Sequence, residues 1–346
     1  MTDIYTHTVF DITKLDKKAE DGTQFISLPI KKDTRVLKPT KEDLTVSEPV
    51  TPDKIVEKLK IYGGCFVKNY LPAEDCDTIL NDIMPHLDAY HGAGTADNFI
   101  SQTTRRVGGT CVKSKTAAEK FLAHPLNIAV SDRFLSKENL FRLGDDQVVT
   151  GLSRAQHNSC ITFAVGPGSE DQPLHRDDIL HHNIRKYMET YEFGGETAVG
   201  TALALKKTSK ECGATRFIPG SHLWDHYRTP REDETVYAEM EKGDCFFMLA
   251  SCYHGGSANT TKDYERIIAI LFMTQGTLRQ EENIFLGTSM EYFKSLSIPA
   301  LAALGLQISQ PFCGWYEHED PIKKILPESG YDYPQFKDVY KIDPKD

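Results

Sequence analysis

The sequence predicts a mainly β protein, an antiparallel sandwich or barrel with helices along its flanks. From about residue 147 onward, short β-branched or aromatic runs alternate with clusters of Gly, Pro, Asn and Ser, which is the pattern of such folds. Before that point, apolar residues recur every three or four positions, which is typical of amphipathic helices. A chain of 346 residues, 40% of them hydrophobic, can bury a sizeable core without disulfides or a structural metal.

Two helices are predicted before the β-rich part. The first begins at Thr51, a good N-cap, with Pro52 at the first helical position, and ends at Gly63. Its apolar face comprises Ile55, Leu59 and Tyr62. The second helix follows Pro72, and its apolar face comprises Cys76, Ile79, Leu80, Ile83 and Leu87.

The predicted strands are short apolar runs bounded by turn-forming residues. They lie at residues 65–67, 161–165, 202–205, 245–249 and 266–273. We therefore expect one β-rich core with helices beside it.

Charge and cysteine usage restrict the partners and the compartment. The formal net charge is −10, and such an excess of carboxylates disfavours a broad surface for nucleic acid or anionic membrane. The start of the chain lacks a basic region followed by an apolar run, so we expect no secretory signal and a cytoplasmic protein. The eight cysteines are scattered without a CxxC pair, which indicates reduced thiols rather than a zinc site.

One short segment combines metal-binding side chains. In residues 172–178, QPLHRDD, His175 and Asp177 are two positions apart. On a β-strand such residues point to the same face, so an imidazole and a carboxylate would meet while Arg176 faces away. His254 is a fitting third ligand because it closely follows an apolar run. Two histidines and one carboxylate leave three coordination positions open, as non-haem Fe(II) oxygenases require.

A cation completes this set of residues. Arg266 precedes the apolar run 267–272, and a guanidinium there can hold a dicarboxylate through a two-pronged, charge-assisted contact. Two alternatives stay open from the residues alone. The histidine and aspartate could form a metal-free hydrogen-bonded pair, and Arg266 could form a salt bridge with Glu241 or Asp244.

Other histidines compete for the ligand role. They are His181, His182, His222 and His226. We expect His181 and His182 to be hydrogen-bonding or lid residues, and His222 to bond locally after a turn. Familiar motifs such as GxGxxG, GxxxxGK[ST], HExxH and GxSxG are absent from the sequence, which disfavours nucleotide-binding, metalloprotease and hydrolase functions.

The chain resembles the phytanoyl-CoA dioxygenase (PhyH) family of Fe(II)/2-oxoglutarate oxygenases, and most closely its fungal natural-product branch. The matching motifs occur in family order over residues 104–108, 172–178, 212–222, 243–244, 253–256 and 266. With the helical lead-in, the resemblance covers roughly residues 50 to 290. It implies a double-stranded β-helix, a cupin-like jelly roll with helices buttressing one sheet.

The resemblance also implies roles for these residues. His175, Asp177 and His254 would ligate Fe(II), and Arg266 would pair with the distal carboxylate of 2-oxoglutarate, the cosubstrate used together with O₂. Gln172, Thr215 and Arg106 resemble further cosubstrate-binding positions, with Arg105 as a rival to Arg106.

The expected reaction is oxidation of a small molecule by hydroxylation, desaturation or rearrangement. Halogenases of this fold replace the carboxylate ligand with a small residue, so Asp177 disfavours chlorination. A catalytically silent binding protein and an acyl-CoA hydroxylase are the alternatives. Retention of all the ligand types argues against the first, and a scarcity of cations in the segments expected to cover the site argues against the second.

The substrate pocket is expected to be aromatic. The segments 179–198 and 311–319 are predicted to cover the site, and their candidate pocket residues are Tyr187, Tyr191, Phe193 and Trp315. Such walls suit a largely apolar secondary metabolite or an amino-acid-derived substrate. The alternative is that these aromatic residues form ordinary core or dimer contacts.

We expect three segments along the chain. An N-terminal extension covers residues 1–46, a single oxygenase domain covers 47–330, and a tail covers 331–346. Within the domain, a helical lead-in spans 51–145 and the jelly-roll core spans 147–290. The resemblance also implies a homodimer.

Overall fold

A computed structural model describes residues 17–18, 20–25, 35–89 and 99–345. Most of the predicted N-terminal extension, residues 1–46, lies outside the described residues. The described strands are β1 (Lys17–Lys18), β2 (Gln24–Phe25), β3 (Gly64–Val67), β4 (Thr104–Val107), β5 (Lys137–Leu143), β6 (Gln147–Ser153), β7 (Gln156–Val165), β8 (Ala198–Ala204), β9 (Arg216–Phe217), β10 (Val236–Tyr237), β11 (Cys245–Leu249), β12 (His254–Gly255), β13 (Arg266–Thr274) and β14 (Asp338–Lys341). The described α-helices are α1 (Lys41–Leu44), α2 (Pro52–Tyr62), α3 (Ala73–Asp88), α4 (Thr110–Lys113), α5 (Pro125–Leu135), α6 (Met290–Lys294), α7 (Ile298–Leu301) and α8 (Pro321–Ile325).

The main sheet contains the predicted apolar strands. Its order is β3-β11-β8-β13-β7-β4, and neighbouring strands are antiparallel. One face packs against the helices through a continuous apolar cluster that includes Ile55 and Leu59 of α2 and Ile79 and Ile83 of α3. The helices therefore buttress this sheet from outside, as expected.

The other face of the main sheet meets a smaller sheet of order β10-β9-β12. Phe217 of β9 packs on Phe246 of β11 with ring centroids 4.7 Å apart. Two antiparallel sheets packed face to face, with helices outside one of them, form the jelly roll. The candidate site lies between the two sheets.

The predicted limits of the first helix are confirmed, and its end explains a glycine. Thr51 caps α2 by accepting a hydrogen bond from the backbone N–H of Lys54, and Gly63 ends it with φ of 73°. A Cβ on Gly63 would lie 2.6 Å from Nδ1 of the buried His222. Both the left-handed backbone and the close approach of this ring require glycine here.

The prediction of a β-strand across residues 172–178 is wrong. His175 forms a single bridge pair with His254, and a 3-10 turn begins at Asp177. The backbone turns because the N–H groups of Asp177 and Asp178 both donate to the carbonyl of Ala250, at 2.9 and 3.3 Å.

A third sheet, of order β14-β6-β5, was not predicted. Strand β5 falls in the segment expected to be a helical lead-in, and β14 falls in the expected tail. Most side chains of β5 and β14 are exposed, so neither strand carries an apolar alternation that sequence patterns can detect.

All eight cysteines are free, and seven of them are buried, in agreement with the expected reduced thiols. Among the helices of the described ranges, none combines the length and the apolar character that a membrane span needs.

Candidate metal centre

Three predicted ligands converge between the two sheets. The backbone of His175 pairs with that of His254 through two hydrogen bonds of 2.9 Å, and the N–H of Asp177 is held by Ala250. Candidate ligand atoms of His175, Asp177 and His254 all lie within 4.8 Å of one another. The hydrogen bonds between these segments therefore fix the side chains around one point.

Backbone carbonyls orient both imidazole rings. Nδ1 of His175 lies 2.8 Å from the carbonyl oxygen of Pro173, and Nδ1 of His254 lies 3.1 Å from that of Cys252. When Nδ1 donates to each carbonyl, Nε2 is the ring nitrogen that faces Asp177, at 3.5 and 3.2 Å, where it can donate to the carboxylate or, without its proton, bind a metal. Metal-binding histidines usually have this arrangement.

The electrostatics suit a divalent cation. Burial alone would raise the pKa of Asp177, but the charge and hydrogen bonds of His254 and His175 hold that pKa well below its ordinary value. Burial would lower the pKa of His254, whereas Asp177 raises it. A bound metal would take the place of the shared protons, and two imidazoles with one carboxylate fit mononuclear iron.

The guanidinium of Arg266 is buried, and no described residue supplies a counter-ion. Its Nε and Nη1 atoms have no hydrogen-bond partner among the described residues, and burial lowers its pKa to about 10. The alternative of a salt bridge to Glu241 or Asp244 is wrong. Asp244 pairs with Lys68, and Glu241 lies 2.8 Å from Lys207. Arg266 is therefore available to an anionic ligand.

A cavity of about 510 Å³ contains all of these groups. The ligand triad and Arg266 line it, together with the predicted cosubstrate residues Gln172, Thr215 and Arg106. Oε1 of Gln172 accepts a hydrogen bond of 2.8 Å from the backbone N–H of Gly256, two residues beyond His254. The structure thus brings every predicted ligand and cosubstrate residue to one cavity.

Arg105 is occupied elsewhere. Its guanidinium contacts Glu265 and Asp88, each at 2.8 Å, whereas its neighbour Arg106 lines the cavity. Of the two arginines of this strand, Arg106 is therefore the one that lines the cavity.

The rival histidines stay outside the triad. Nε2 of His181 lies 3.1 Å from the carbonyl of Arg279. His222 is buried, and its Nε2 bonds to the carbonyl of Lys60 at the end of α2, so the expected local bond is in fact a long-range one. Burial lowers the pKa of His222 to about 3, and its ring is neutral.

The four predicted pocket aromatics do not line the cavity. Tyr191 and Phe193 pack on each other and on Phe134 of α5, with centroid distances of 5.3 to 5.6 Å. Tyr187 and Trp315 are also absent from the walls. The chain after Asp178 turns toward α5 because Tyr191 and Phe193 gain aromatic contacts there, and this prediction is therefore corrected.

The actual apolar walls come from alternate residues of the main sheet, which the sequence did not identify. They are Ile161, Phe163, Phe246, Met248, Ile270 and Phe272. Phe99 and Leu180 close other sides of the cavity. Alternate residues along β7 and β13 share one face of the sheet, so this period of two identifies the wall residues once the inward face is known.

A jelly roll with two histidines, one carboxylate and a buried arginine without an ion-pair partner among the described residues, all in one cavity, defines the class of mononuclear non-haem iron oxygenases. The model of the phytanoyl-CoA dioxygenase (PhyH) family matches residues 59–268, and the chain belongs to this family. Enzymes of the family are iron- and 2-oxoglutarate-dependent dioxygenases.

Three relatives are similar over most of their length. An uncharacterized protein of Saccharomyces cerevisiae is 37% identical, covering 87% of this chain and 87% of its own. Dioxygenase himG of Aspergillus japonicus is 36% identical over 84% of this chain and 92% of its own. Dioxygenase cnsJ of Penicillium expansum is 31% identical over 82% of this chain and 85% of its own.

Proposed function

We propose that His175, Asp177 and His254 bind Fe(II), and that Arg266 binds the distal carboxylate of 2-oxoglutarate in an enzyme that oxidises a small, largely apolar molecule. The observation that carries this proposal is the buried guanidinium in the same cavity as the triad, whose Nε and Nη1 have no hydrogen-bond partner among the described residues. A buried cation without a partner is costly, so its retention indicates an anionic ligand.

The residues of the cavity have different roles according to their position. When bound, the iron supplies the oxidation of an unactivated C–H bond by O₂, coupled to conversion of 2-oxoglutarate into succinate and CO₂. Arg266 holds the cosubstrate by its far carboxylate, with Gln172, Thr215 and Arg106 around it. The apolar walls exclude water and leave the substrate facing the triad.

The lining of the cavity favours a compact apolar substrate over an acyl-CoA. Arg266 and Arg106 are the cationic side chains among the described lining residues, and both belong to the cosubstrate end in this proposal. An acyl-CoA carries several phosphate charges and needs further Lys or Arg at the mouth. Fungal relatives named dioxygenases are compatible with a secondary metabolite or an amino-acid-derived substrate.

The decisive test is anaerobic addition of Fe(II) and 2-oxoglutarate to the protein. We expect a metal-to-ligand charge-transfer absorption band, and its absence in the wild type would overturn the iron assignment. Release of succinate from 2-oxoglutarate separates an enzyme from a silent binding protein. Stimulation of that release by phytanoyl-CoA well above the uncoupled rate would contradict the substrate proposal.

The cellular setting is also part of this proposal. We place the enzyme in the cytoplasm as a homodimer without nucleic-acid or membrane partners, consistent with its net charge of −10. Sedimentation velocity measures the oligomeric state, and a monomer at all concentrations would contradict the dimer.

A further inference from the structure

The cavity contains an acidic end that the iron and cosubstrate do not use. Ser159 and Glu281 both line it. In the main sheet Arg266 pairs with Val165 and Phe272 pairs with Ser159. Ser159 and Val165 are six positions apart on β7, which corresponds to about 20 Å of strand. A five-carbon dicarboxylate spans only about 6 Å across its four C–C bonds, so 2-oxoglutarate held at Arg266 leaves the Glu281 end free.

Glu281 is held rigidly at this end. The hydroxyl of Ser159 donates to its Oε2 at 2.7 Å, and the side-chain amide of Asn158 lies 3.4 Å from the same atom. The backbone N–H of Glu281 donates to Oδ1 of Asn158 at 2.9 Å. Ser159 and Asn158 are almost fully buried. The loop is thus bound along β7, and the carboxylate has a fixed position.

One oxygen of this carboxylate remains available. Oε1 of Glu281 has no hydrogen-bond partner among the described residues, and no lysine occurs among the described lining of the cavity. Partial burial raises the pKa of Glu281, while the hydrogen bond from Ser159 lowers it. Glu281 remains substantially exposed, so a cation that enters the cavity can reach this carboxylate. The neighbouring walls, Phe272 and Leu180, are apolar.

We infer that Glu281, oriented by Ser159, is a substrate-binding residue that receives a protonated amine, so the substrate class is a small apolar amine. The amine binds at Oε1, and the carbon skeleton extends along Phe272 and Ile270 toward the triad. This inference rests on the proposed function, because it requires 2-oxoglutarate to occupy the Arg266 end. An ammonium is favoured over a neutral hydroxyl because charge-assisted hydrogen bonds are roughly twice as strong as neutral ones.

Three probes with one aromatic skeleton test the inference: naphthylethylamine, naphthylethanol and naphthylacetic acid. Their binding to the full chain is measured by calorimetry under anaerobic conditions, with Fe(II) and saturating 2-oxoglutarate present. We expect the amine to bind about ten- to one-hundred-fold more tightly than the alcohol or the acid, which is the range of a hydrogen bond to a charged group. Equal binding of amine and alcohol, or no amine binding up to its solubility limit, would overturn the inference.

Matched variants assign the effect to the residue. Glu281→Gln keeps the shape of the side chain and should abolish the preference for the amine, whereas Glu291→Gln, an exposed position on α6, should retain it. A preference that persists in Glu281→Gln would contradict the assignment. Both variants should show the wild-type charge-transfer band and melting temperature. In the wild type, a normal charge-transfer band without a preference for the amine overturns this inference alone. A missing band in the wild type overturns the proposed function.

Discussion

The guanidinium carbon of Arg176 lies 4.2 Å from the ring centroid of Tyr253. Arg176 stands between the two ligands of the first motif, and Tyr253 immediately precedes His254. The same guanidinium donates to the carbonyl of Ser221 at 2.7 Å. A single buried cation therefore ties together the two chain segments that present the three candidate ligands.

This contact predicts a positioning role for Arg176. Arg176→Met keeps an unbranched apolar stem but removes the contact with Tyr253, and metal affinity should fall about ten- to one-hundred-fold, the usual effect of such supporting contacts. Titration with Mn(II), a redox-stable probe, measures it. Arg231→Met removes an exposed arginine that pairs with nearby Asp233 and should leave the affinity unchanged. Equal Mn(II) affinity in Arg176→Met and the wild type would show that the ligand segments hold their positions without this contact.

Removal of the central ligand should separate metal binding from folding. In Asp177→Ala we expect turnover and measurable Fe(II) affinity to be lost, because two imidazoles remain without the anionic ligand between them. The core does not depend on metal, so the free energy of unfolding of the metal-free protein should change by about 1–3 kcal/mol at most. Circular dichroism and urea denaturation check the fold, with Asp263→Ala as an exposed control. Retained turnover in Asp177→Ala would exclude it as a ligand.

The convergence of His175, Asp177 and His254 could be predicted because the residues that suggest it are close to one another or to apolar strands in the sequence. His175 and Asp177 are two residues apart, and His254 and Arg266 each adjoin an apolar strand, so residue type and spacing were sufficient. Five of the six strands of the main sheet were predictable for a similar reason, since each contains a run of mostly apolar residues, whereas β4 contains two arginines and was not predicted. The wrong strand at 172–178 did not affect the ligand set, because a bridge followed by a tight turn also brings the two side chains together.

The substrate walls could not be predicted in the same way. Both faces of the main sheet are covered, and β7 and β13 carry apolar residues on both faces, so the period of two alone does not reveal that Ile161 and Ile270 face the cavity rather than the helices. Tyr191 and Phe193 were expected at the cavity because they follow the ligand motif closely. Their position depends on contacts with α5, which local sequence does not encode.

Two buried neutral histidines predict acid sensitivity. Burial lowers the pKa of His157 and of His222 to about 3 in the folded chain, against roughly 6.5 when unfolded. Between these pH values the unfolded chain therefore binds more protons than the folded chain. The contribution of the two neutral histidines to stability is complete above about pH 6.5 and is lost as the pH falls toward 3. Each histidine should remove about 2 kcal/mol of unfolding free energy between pH 7 and pH 5.

The variant His157→Phe tests the direction of this pH dependence. Neither ring nitrogen of His157 has a hydrogen-bond partner among the described residues, so an apolar ring of similar size should fit. In urea denaturation, the unfolding free energy of the variant should fall between pH 7 and pH 5 by about 2 kcal/mol less than that of the wild type. His86→Phe, at an exposed position of α3, should keep the wild-type difference. If His157→Phe loses as much unfolding free energy between pH 7 and pH 5 as the wild type does, His157 does not contribute to the acid sensitivity.

Arg266 should show opposite effects on stability and on cosubstrate binding. Arg266→Leu removes a buried charge that no described residue pairs with, so the ligand-free protein should gain about 1 kcal/mol or more in unfolding free energy. The same change should weaken 2-oxoglutarate binding by about 2–5 kcal/mol, because the distal carboxylate loses its charged partner, while Fe(II) affinity stays nearly unchanged. Calorimetry with 2-oxoglutarate and urea denaturation measure the two effects. Arg105→Leu removes a guanidinium already paired with Glu265, and should lower stability without changing cosubstrate affinity. Normal cosubstrate affinity in Arg266→Leu would place the essential cation elsewhere, with Arg106 as the next residue to replace.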